Sequence, residues 1–165
     1  MQLENEEQTM KNIALVAHDN RKEDLINWVN WNWEELVGYK IYATGTTGRL
    51  VSEALQDRPG KNRHFEVVKL KSGPLGGDQQ LGAMIAEGKI DLFIFLWDPM
   101  QPHPHDVDVK ALLRIAVLYN IPTACNRSTA DFLISSPLFK GDYQPIVKDY
   151  SYYTNRDVEQ DGFGL

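Results

Sequence analysis

Short apolar runs recur along this chain, and polar residues bound each of them. The runs lie within residues 12–17, 91–97 and 122–125, and residues 40–43 and 64–70 contain shorter apolar stretches that also predict strands. Apolar runs of this length are typical of strands that are buried on both faces of a parallel sheet. The hydrophobic pattern therefore predicts five β-strands.

Between these runs, apolar residues recur at intervals of three and four, as they do on one face of an α-helix. The first predicted helix follows Asp19 or Asn20, either of which can cap it. Its apolar face consists of Leu25, Trp28, Val29, Trp33, Leu36 and Val37. Further helices are predicted after Gly48, from Asp78 to a stop at Gly88, over residues 106–119, and after a cap at Ser128 or Thr129.

Strands that alternate with helices over short connections predict an α/β fold. We expect a single domain over residues 1–165, with a three-layer, doubly wound architecture and a mostly parallel, five-stranded sheet. The ends, residues 1–10 and 157–165, are expected to be flexible.

Composition narrows the class of function. The 165 residues include 17 Lys and Arg against 23 Asp and Glu, a formal charge of −6, which argues against nucleic acid or an anionic membrane as the partner. The single cysteine, Cys125, excludes a disulfide framework and a multi-cysteine zinc site, and its place in the last apolar run predicts a buried thiol. The polar start and the absence of a long apolar segment predict a soluble, cytoplasmic protein.

Polar segments follow the predicted strands, and in a parallel sheet such segments meet at one edge. Residues 44–48, Thr-Gly-Thr-Thr-Gly, combine glycines, hydroxyls and a helix start, which suit a phosphate group. Ser72 and Gly73 form a second turn of this kind, and Lys22 can supply the countercharge. The same residues also fit ordinary strand-to-helix turns with threonine caps.

Several ionisable residues in these segments are compatible with two or more roles. Asp78 follows two glycines at a helix start, where it is either an N-cap or a general base. Residues 103–108, His-Pro-His-Asp-Val-Asp, can hold a divalent metal, can present His105 for proton transfer, or can be a surface loop. Asp98 ends a very apolar strand, so its carboxylate must find a partner or water. Trp31 falls outside the apolar face of the first helix, which predicts an exposed side chain at a subunit interface.

Taken together, these segments resemble the methylglyoxal synthase family. The resemblance rests on the strings IALVAHD, YATGTTG, SGPLGGDQQLGAMI, FLWDP and PHDVDVKALLRIA, and it covers residues 11–150. It implies a lyase that converts dihydroxyacetone phosphate into methylglyoxal and inorganic phosphate, with no metal and no organic cofactor. Inorganic phosphate is the implied product and inhibitor.

The resemblance also implies roles for individual residues. Asp78 is the implied base that removes a proton from the hydroxymethyl carbon, and His105 the implied group that polarises the carbonyl. The implied supporting carboxylates are Asp19, Asp98 and Asp108. The implied substrate-binding residues are His18, Lys22, Thr44, Gly45, Thr46, Thr47, Ser72 and Gly73. Family members are homohexamers in which a C-terminal arginine reaches a neighbouring phosphate site, and Arg156 is the candidate here.

Two other functions remain open from the sequence. The same fold serves as a non-catalytic domain that binds regulators in carbamoyl-phosphate synthetases, so this chain can be a phosphate- or regulator-binding module. The histidine-rich segment can instead belong to a metal-dependent hydrolase, which a chelator would inactivate.

Overall fold

The computed structural model describes residues 10–60, 65–102 and 106–154. Its centre is a five-stranded sheet in which every neighbouring pair is parallel, in the order β3-β2-β1-β4-β5. The strands are β1 (Asn12–Ala17), β2 (Lys40–Thr44), β3 (Glu66–Leu70), β4 (Leu92–Leu96) and β5 (Thr123–Ala124). The α/β class and the five-stranded sheet are confirmed, and the sheet is parallel throughout.

Helices follow the strands. They are α1 (Lys22–Trp31), α2 (Gly45–Gln56), α3 (Gly77–Ala86), α4 (Asp106–Leu118), α5 (Arg127–Ser135), α6 (Pro137–Lys140) and α7 (Ser151–Thr154). Single 3-10 turns, Asp19–Arg21 and Gly73–Leu75, precede α1 and α3. No helix among the described residues is long and apolar enough to cross a membrane.

The centre of the sheet is buried on both faces, and successive residues of β1 show this directly. Ile13 and Leu15 pack into one apolar cluster, together with residues of α1, α2 and α5. Ala14 and Val16 face a second cluster, which includes residues of α3 and α4. Because side chains alternate across a strand, β1 and β4 supply residues to both clusters, and the result is a three-layer domain.

The first helix is shorter than its apolar periodicity predicts. It ends at Trp31, and turns carry the chain from Asn32 to Gly38, although Leu36 is still fully buried. The Asn32 side-chain amide donates to the Trp28 carbonyl in the last turn of the helix. An asparagine that bonds locally to the backbone in this way favours a helix end over continuation.

The caps predicted for two helices, α1 and α5, are wrong. Neither Asp19 nor Asn20 caps α1, because both lie in the 3-10 turn and Arg21 precedes the helix. The cap of α5 is Asn126, whose side chain accepts from the Thr129 N–H, so Ser128 and Thr129 are already inside the helix. Asparagine at this position satisfies a first-turn N–H as well as serine does, and it precedes them in the chain.

The predicted burial of Cys125 is also wrong. Strand β5 ends at Ala124, so Cys125 lies just beyond the sheet and is exposed. Partial burial of the sulfur nevertheless raises the pKa of the Cys125 thiol, which disfavours the thiolate form that a nucleophile needs.

Candidate active site

A cavity of about 300 Å³ opens at the carboxyl ends of the strands. Each of the first four strands contributes to its wall, directly or through the segment that follows it. The residues that line it are Val16, Ala17, His18, Asp19, Lys22, Thr44, Gly45, Thr46, Thr47, Ser72, Gly73, Pro74, Asp78 and Phe95. The eight residues for which the resemblance implies substrate binding all line this one cavity.

The start of α2 forms one wall. The helix begins at Gly45, so the Thr-Gly-Thr-Thr-Gly segment is its N-cap and first turn, not a loop before it. Thr44 precedes the helix in an extended conformation, and its side chain makes no capping hydrogen bond. This wall therefore presents the N–H groups of the first helical turn and the positive end of the helix dipole to the cavity. Both favour the binding of an anion.

A close backbone contact joins this wall to the next one. Gly45 has a φ of +50°, its N–H donates to the Lys71 carbonyl, and a Cβ on it would lie 3.0 Å from the Ser72 Cα. Only glycine combines that conformation with that approach. The contact brings the Ser72–Gly73 turn beside the threonines of α2.

Lys22 is held at the mouth of the same wall. Its ammonium group donates to the Asp19 carboxylate and to the Thr46 hydroxyl. The Lys22 side chain is largely covered, whereas that of Asp19 is 92% exposed. The charge of Lys22 is thus fixed next to the helix start, where it adds to the field that attracts an anion.

Asp78 adds a carboxylate to the lining of the same cavity. It lies in the first turn of α3 and is only 3% exposed. The reading of Asp78 as the N-cap is wrong, because the left-handed Gly76 occupies that position. Gly77 permits the arrangement, since a Cβ on it would lie 2.0 Å from the Lys71 carbonyl oxygen. A buried carboxylate at a helix N-terminus is suited to accept a proton from a bound ligand.

His18, which lines the cavity, forms a buried pair with Asp98. Asp98 is 5% exposed and His18 is 7% exposed, and the Asp98 backbone N–H donates to His18 Nδ1 over 3.0 Å. The His18 ring meets the Phe95 ring edge-on, with 5.3 Å between their centroids. Asp98 is absent from the cavity wall, so it contacts the site through His18.

The comparisons with known proteins agree on one family. A family model described as the MGS-like domain matches residues 25–125. A methylglyoxal synthase from Maridesulfovibrio salexigens is 60% identical over 154 residues, covering 90% of this chain and 98% of the relative. One from Oleidesulfovibrio alaskensis is 59% identical over 146 residues, covering 88% of this chain and 95% of the relative. The chain belongs to the methylglyoxal synthase family.

A solved structure of a methylglyoxal synthase family member extends the likeness to the fold. The crystal structure of methylglyoxal synthase from Elizabethkingia anophelis NUHP1 superimposes with a TM-score of 0.79 at 48% sequence identity. The match covers 90% of this chain and 93% of that one. The family membership that the short sequence strings predicted is confirmed.

Not every residue that the resemblance to methylglyoxal synthases singled out lies at the cavity wall. Asp108 is half-buried in the first turn of α4 and does not line the cavity. His105 and Arg156 lie outside the described residues, as does His103. Within residues 10–60, 65–102 and 106–154, no group of three or more histidine, cysteine or acidic side chains could hold a metal ion.

Sequence reasoning missed a polar contact next to this cavity. Asn20 was interpreted only as a possible helix cap, yet its amide nitrogen donates to Asp98 Oδ2 over 3.0 Å. The signal that could have found it is its place two residues after His18, in the segment that follows a buried strand. Polar residues there face the carboxyl edge of the sheet and meet the polar residues that follow the neighbouring strand.

Proposed function

We propose that this chain is a methylglyoxal synthase, a carbon–oxygen lyase that converts dihydroxyacetone phosphate into methylglyoxal and inorganic phosphate. One observation carries the proposal most strongly: the buried Asp78 carboxylate and an anion-binding wall line the same cavity. Relatives named methylglyoxal synthase at 59% and 60% identity over about nine-tenths of the chain support the same conclusion.

The first chemical step is removal of a proton from the hydroxymethyl carbon. Asp78 accepts that proton, and the electron pair of the C–H bond moves onto the carbonyl to form an enediolate. Negative charge then develops on the former carbonyl oxygen, so donors directed at that oxygen lower the barrier. His105 takes this role by resemblance to the family, and His18 lines the described part of the site.

The second step separates methylglyoxal synthases from isomerases that form the same intermediate. The proton of the terminal hydroxyl passes to the former carbonyl oxygen, and the terminal hydroxyl oxygen becomes the aldehyde oxygen. The C=C bond shifts toward the carbon that bears the phosphate, and the C–O electron pair of that ester leaves with the phosphate. Tautomerisation of the resulting enol, with a proton added to the carbon that bore the phosphate, gives methylglyoxal. The wall built from Thr44, Gly45, Thr46 and Thr47, with Lys22 and the Ser72–Gly73 turn, stabilises the departing anion.

The remaining carboxylates support this chemistry. We propose that Asp19 orients Lys22, with which it makes an ion pair, and that Asp98 orients His18. Asp108 stands at the start of α4, the helix that follows His105, and its proposed role is to orient that segment. No metal ion and no organic cofactor enters either step.

Inorganic phosphate is the expected inhibitor, because the wall that stabilises phosphate as the leaving group also binds free phosphate from solution. We also propose a homohexamer in which Arg156 reaches the phosphate site of a neighbouring subunit. Trp31, 81% exposed at the end of α1, supports an interface with another copy. We expect the enzyme to be located in the cytoplasm, where it would convert a triose phosphate in a bypass of glycolysis.

A product assay tests the proposal. The full chain is treated with a chelator and incubated with dihydroxyacetone phosphate, methylglyoxal is trapped as its diamine adduct, and phosphate is measured in parallel. The proposal expects the two products in equal amounts. A protein that binds phosphate but releases neither product would instead be a regulatory module of the same fold.

A further inference from the structure

Asn20 fixes a carboxylate that does not itself reach the cavity. The Asn20 amide donates to Asp98 Oδ2 over 3.0 Å, and the Met100 N–H donates to Asp98 Oδ1 over 2.9 Å. Each carboxylate oxygen of Asp98 therefore accepts a hydrogen bond, one from before α1 and one from the loop after β4. Together these bonds set the orientation of the Asp98 residue, including its backbone N–H.

That backbone N–H determines the chemical state of His18. It donates to Nδ1 of His18 over 3.0 Å, and the bond is buried. A ring nitrogen that accepts a hydrogen bond carries no proton, so the imidazole is neutral and its proton is on Nε2. Because the ring also packs edge-on against Phe95, its plane is fixed as well as its tautomer.

We propose that Asn20 is a positioning residue, which acts through Asp98 to hold His18 as a neutral Nε2–H donor to an oxygen of the bound triose phosphate. This inference rests on the proposed function, because it assigns the donor to that substrate. His18 lines the cavity beside Lys22 and the threonines of α2, where the oxygens of a bound phosphate ester would lie. Asn20 itself is exposed and lines no part of the cavity.

Two substitutions separate this role from a simple role in starting α1. Asn20→Ala removes the donor to Asp98. Asn20→Asp removes the same donor and places a second carboxylate against the first. A residue that only favours the helix start would tolerate aspartate better than alanine, because a negative charge near a helix N-terminus is favourable. The positioning role expects the opposite order, with aspartate the more damaging change.

The kinetic readout is the split between KM and kcat. In Asn20→Asp we expect KM for dihydroxyacetone phosphate and the inhibition constant of inorganic phosphate to rise about tenfold, the loss of one hydrogen bond to a charged group. Asn20→Ala should show a rise of about threefold, and kcat should change less than KM in both variants. The matched control is Asn27→Asp, the same change at an exposed position within α1, with unchanged constants.

The spectroscopic readout is the tautomer of His18. Solid-state ¹⁵N spectra of histidine-labelled protein are tractable because the chain has only four histidines, and His18→Gln assigns the signal. The wild type should show an unprotonated Nδ1 and a protonated Nε2 at about pH 7. In Asn20→Asp we expect a second population with Nδ1 protonated.

Two results would overturn the inference: a wild-type ring that is protonated at Nδ1, or an Asn20→Asp protein with the kinetics of the wild type. Failure of the proposed function looks different. In that case the wild type releases no methylglyoxal, but Asn20→Asp still weakens phosphate binding and changes the His18 tautomer. This combination would overturn the proposed function and support the positioning role.

Discussion

The two edges of the sheet hold cavities of opposite character, although the same strands lead to both. At the carboxyl edge the cavity is lined by hydroxyls, glycines, Lys22 and two carboxylates. At the amino edge a cavity of about 220 Å³ is lined mainly by apolar side chains, among them Leu92, Leu133, Phe139 and Pro145. The two central strands, β1 and β4, cannot account for this contrast, because they are almost entirely buried and apolar along their length.

The helices and two lysines account for it. Helices α2 and α3 begin at the carboxyl edge, so their N–H groups and positive dipole ends point into that cavity. Lys22 sits there beside a hydroxyl and a highly exposed carboxylate. Lys11, at the amino edge, donates instead to the Phe139 and Gly141 carbonyls. Because the helices of a parallel sheet all begin at its carboxyl edge, anion binding is favoured at that edge. The polar groups at the amino edge instead stabilise the fold.

Carboxylates at the two edges provide the largest contrast. Asp78→Asn should lower kcat by about 10²–10⁴-fold, because an amide cannot accept the substrate proton. Asp91, which lines the amino-edge cavity and accepts from the Asn12 N–H, is the matched control. We expect Asp91→Asn to keep kcat within about twofold and to cost about 0.5–1.5 kcal/mol of unfolding free energy. Equal loss of activity in both variants would contradict the division between the edges.

The two lysines provide the next contrast. Lys22→Met should raise KM for dihydroxyacetone phosphate about 10–100-fold, since it removes a positive charge from the anion site. Lys11→Met should leave KM unchanged and lower the free energy of unfolding by about 1–3 kcal/mol, because two carbonyls lose their donor. Steady-state kinetics and urea unfolding measure the two effects. A Lys11 variant with weakened substrate binding would show that the edges are coupled.

Two glycines of α3 test whether close backbone packing shapes the cavity at the carboxyl edge. Gly77→Ala forces a methyl group against the Lys71 carbonyl, so we expect a loss of about 1–3 kcal/mol of unfolding free energy together with a raised KM. Gly82→Ala in the middle of the same helix meets nothing closer than 3.9 Å. It should stabilise the protein by about 0.5–1 kcal/mol and leave KM unchanged. Equal thermal stability of the two variants would contradict the tight approach at Gly77.

The smallest expected effect is that of a chelator. Neither edge requires a metal ion in the proposed mechanism, so dialysis against a chelator should leave the rate of methylglyoxal formation within about twofold. Addition of Mg²⁺, Mn²⁺ or Zn²⁺ afterwards should produce no recovery, because nothing was lost. A rate that collapses and is restored by one of these ions would favour the metal-dependent hydrolase reading.

The strands and the layered fold could be predicted from the sequence because burial on both faces leaves a continuous apolar signature. The run at residues 12–17 coincides with β1 for this reason. Helix ends were harder, since they depend on side chains that compete for the backbone. Asn32 ends α1 and Asn126 caps α5, and neither choice can be read from apolar spacing.

The candidate site divides in the same way. Residues that follow strands, such as His18, Thr44 and Ser72, could be placed at one edge from topology alone. What could not be predicted were contacts that depend on three-dimensional approach: Gly45 against Ser72, Gly77 against Lys71, and Asn20 on Asp98. The contacts of Gly45 and Asn20 join segments that lie far apart in the chain, and that of Gly77 depends on how a short turn folds back, so no apolar pattern contains them.

The most direct test of the central claim is a crystal structure with a phosphonate analogue of dihydroxyacetone phosphate that cannot eliminate. The account predicts the phosphonate at the start of α2, in contact with Lys22 and Ser72. It also predicts the analogue's hydroxymethyl carbon within about 3–3.5 Å of an Asp78 carboxylate oxygen. An analogue bound in the apolar cavity at the amino edge, or one whose hydroxymethyl group points away from Asp78, would contradict the account.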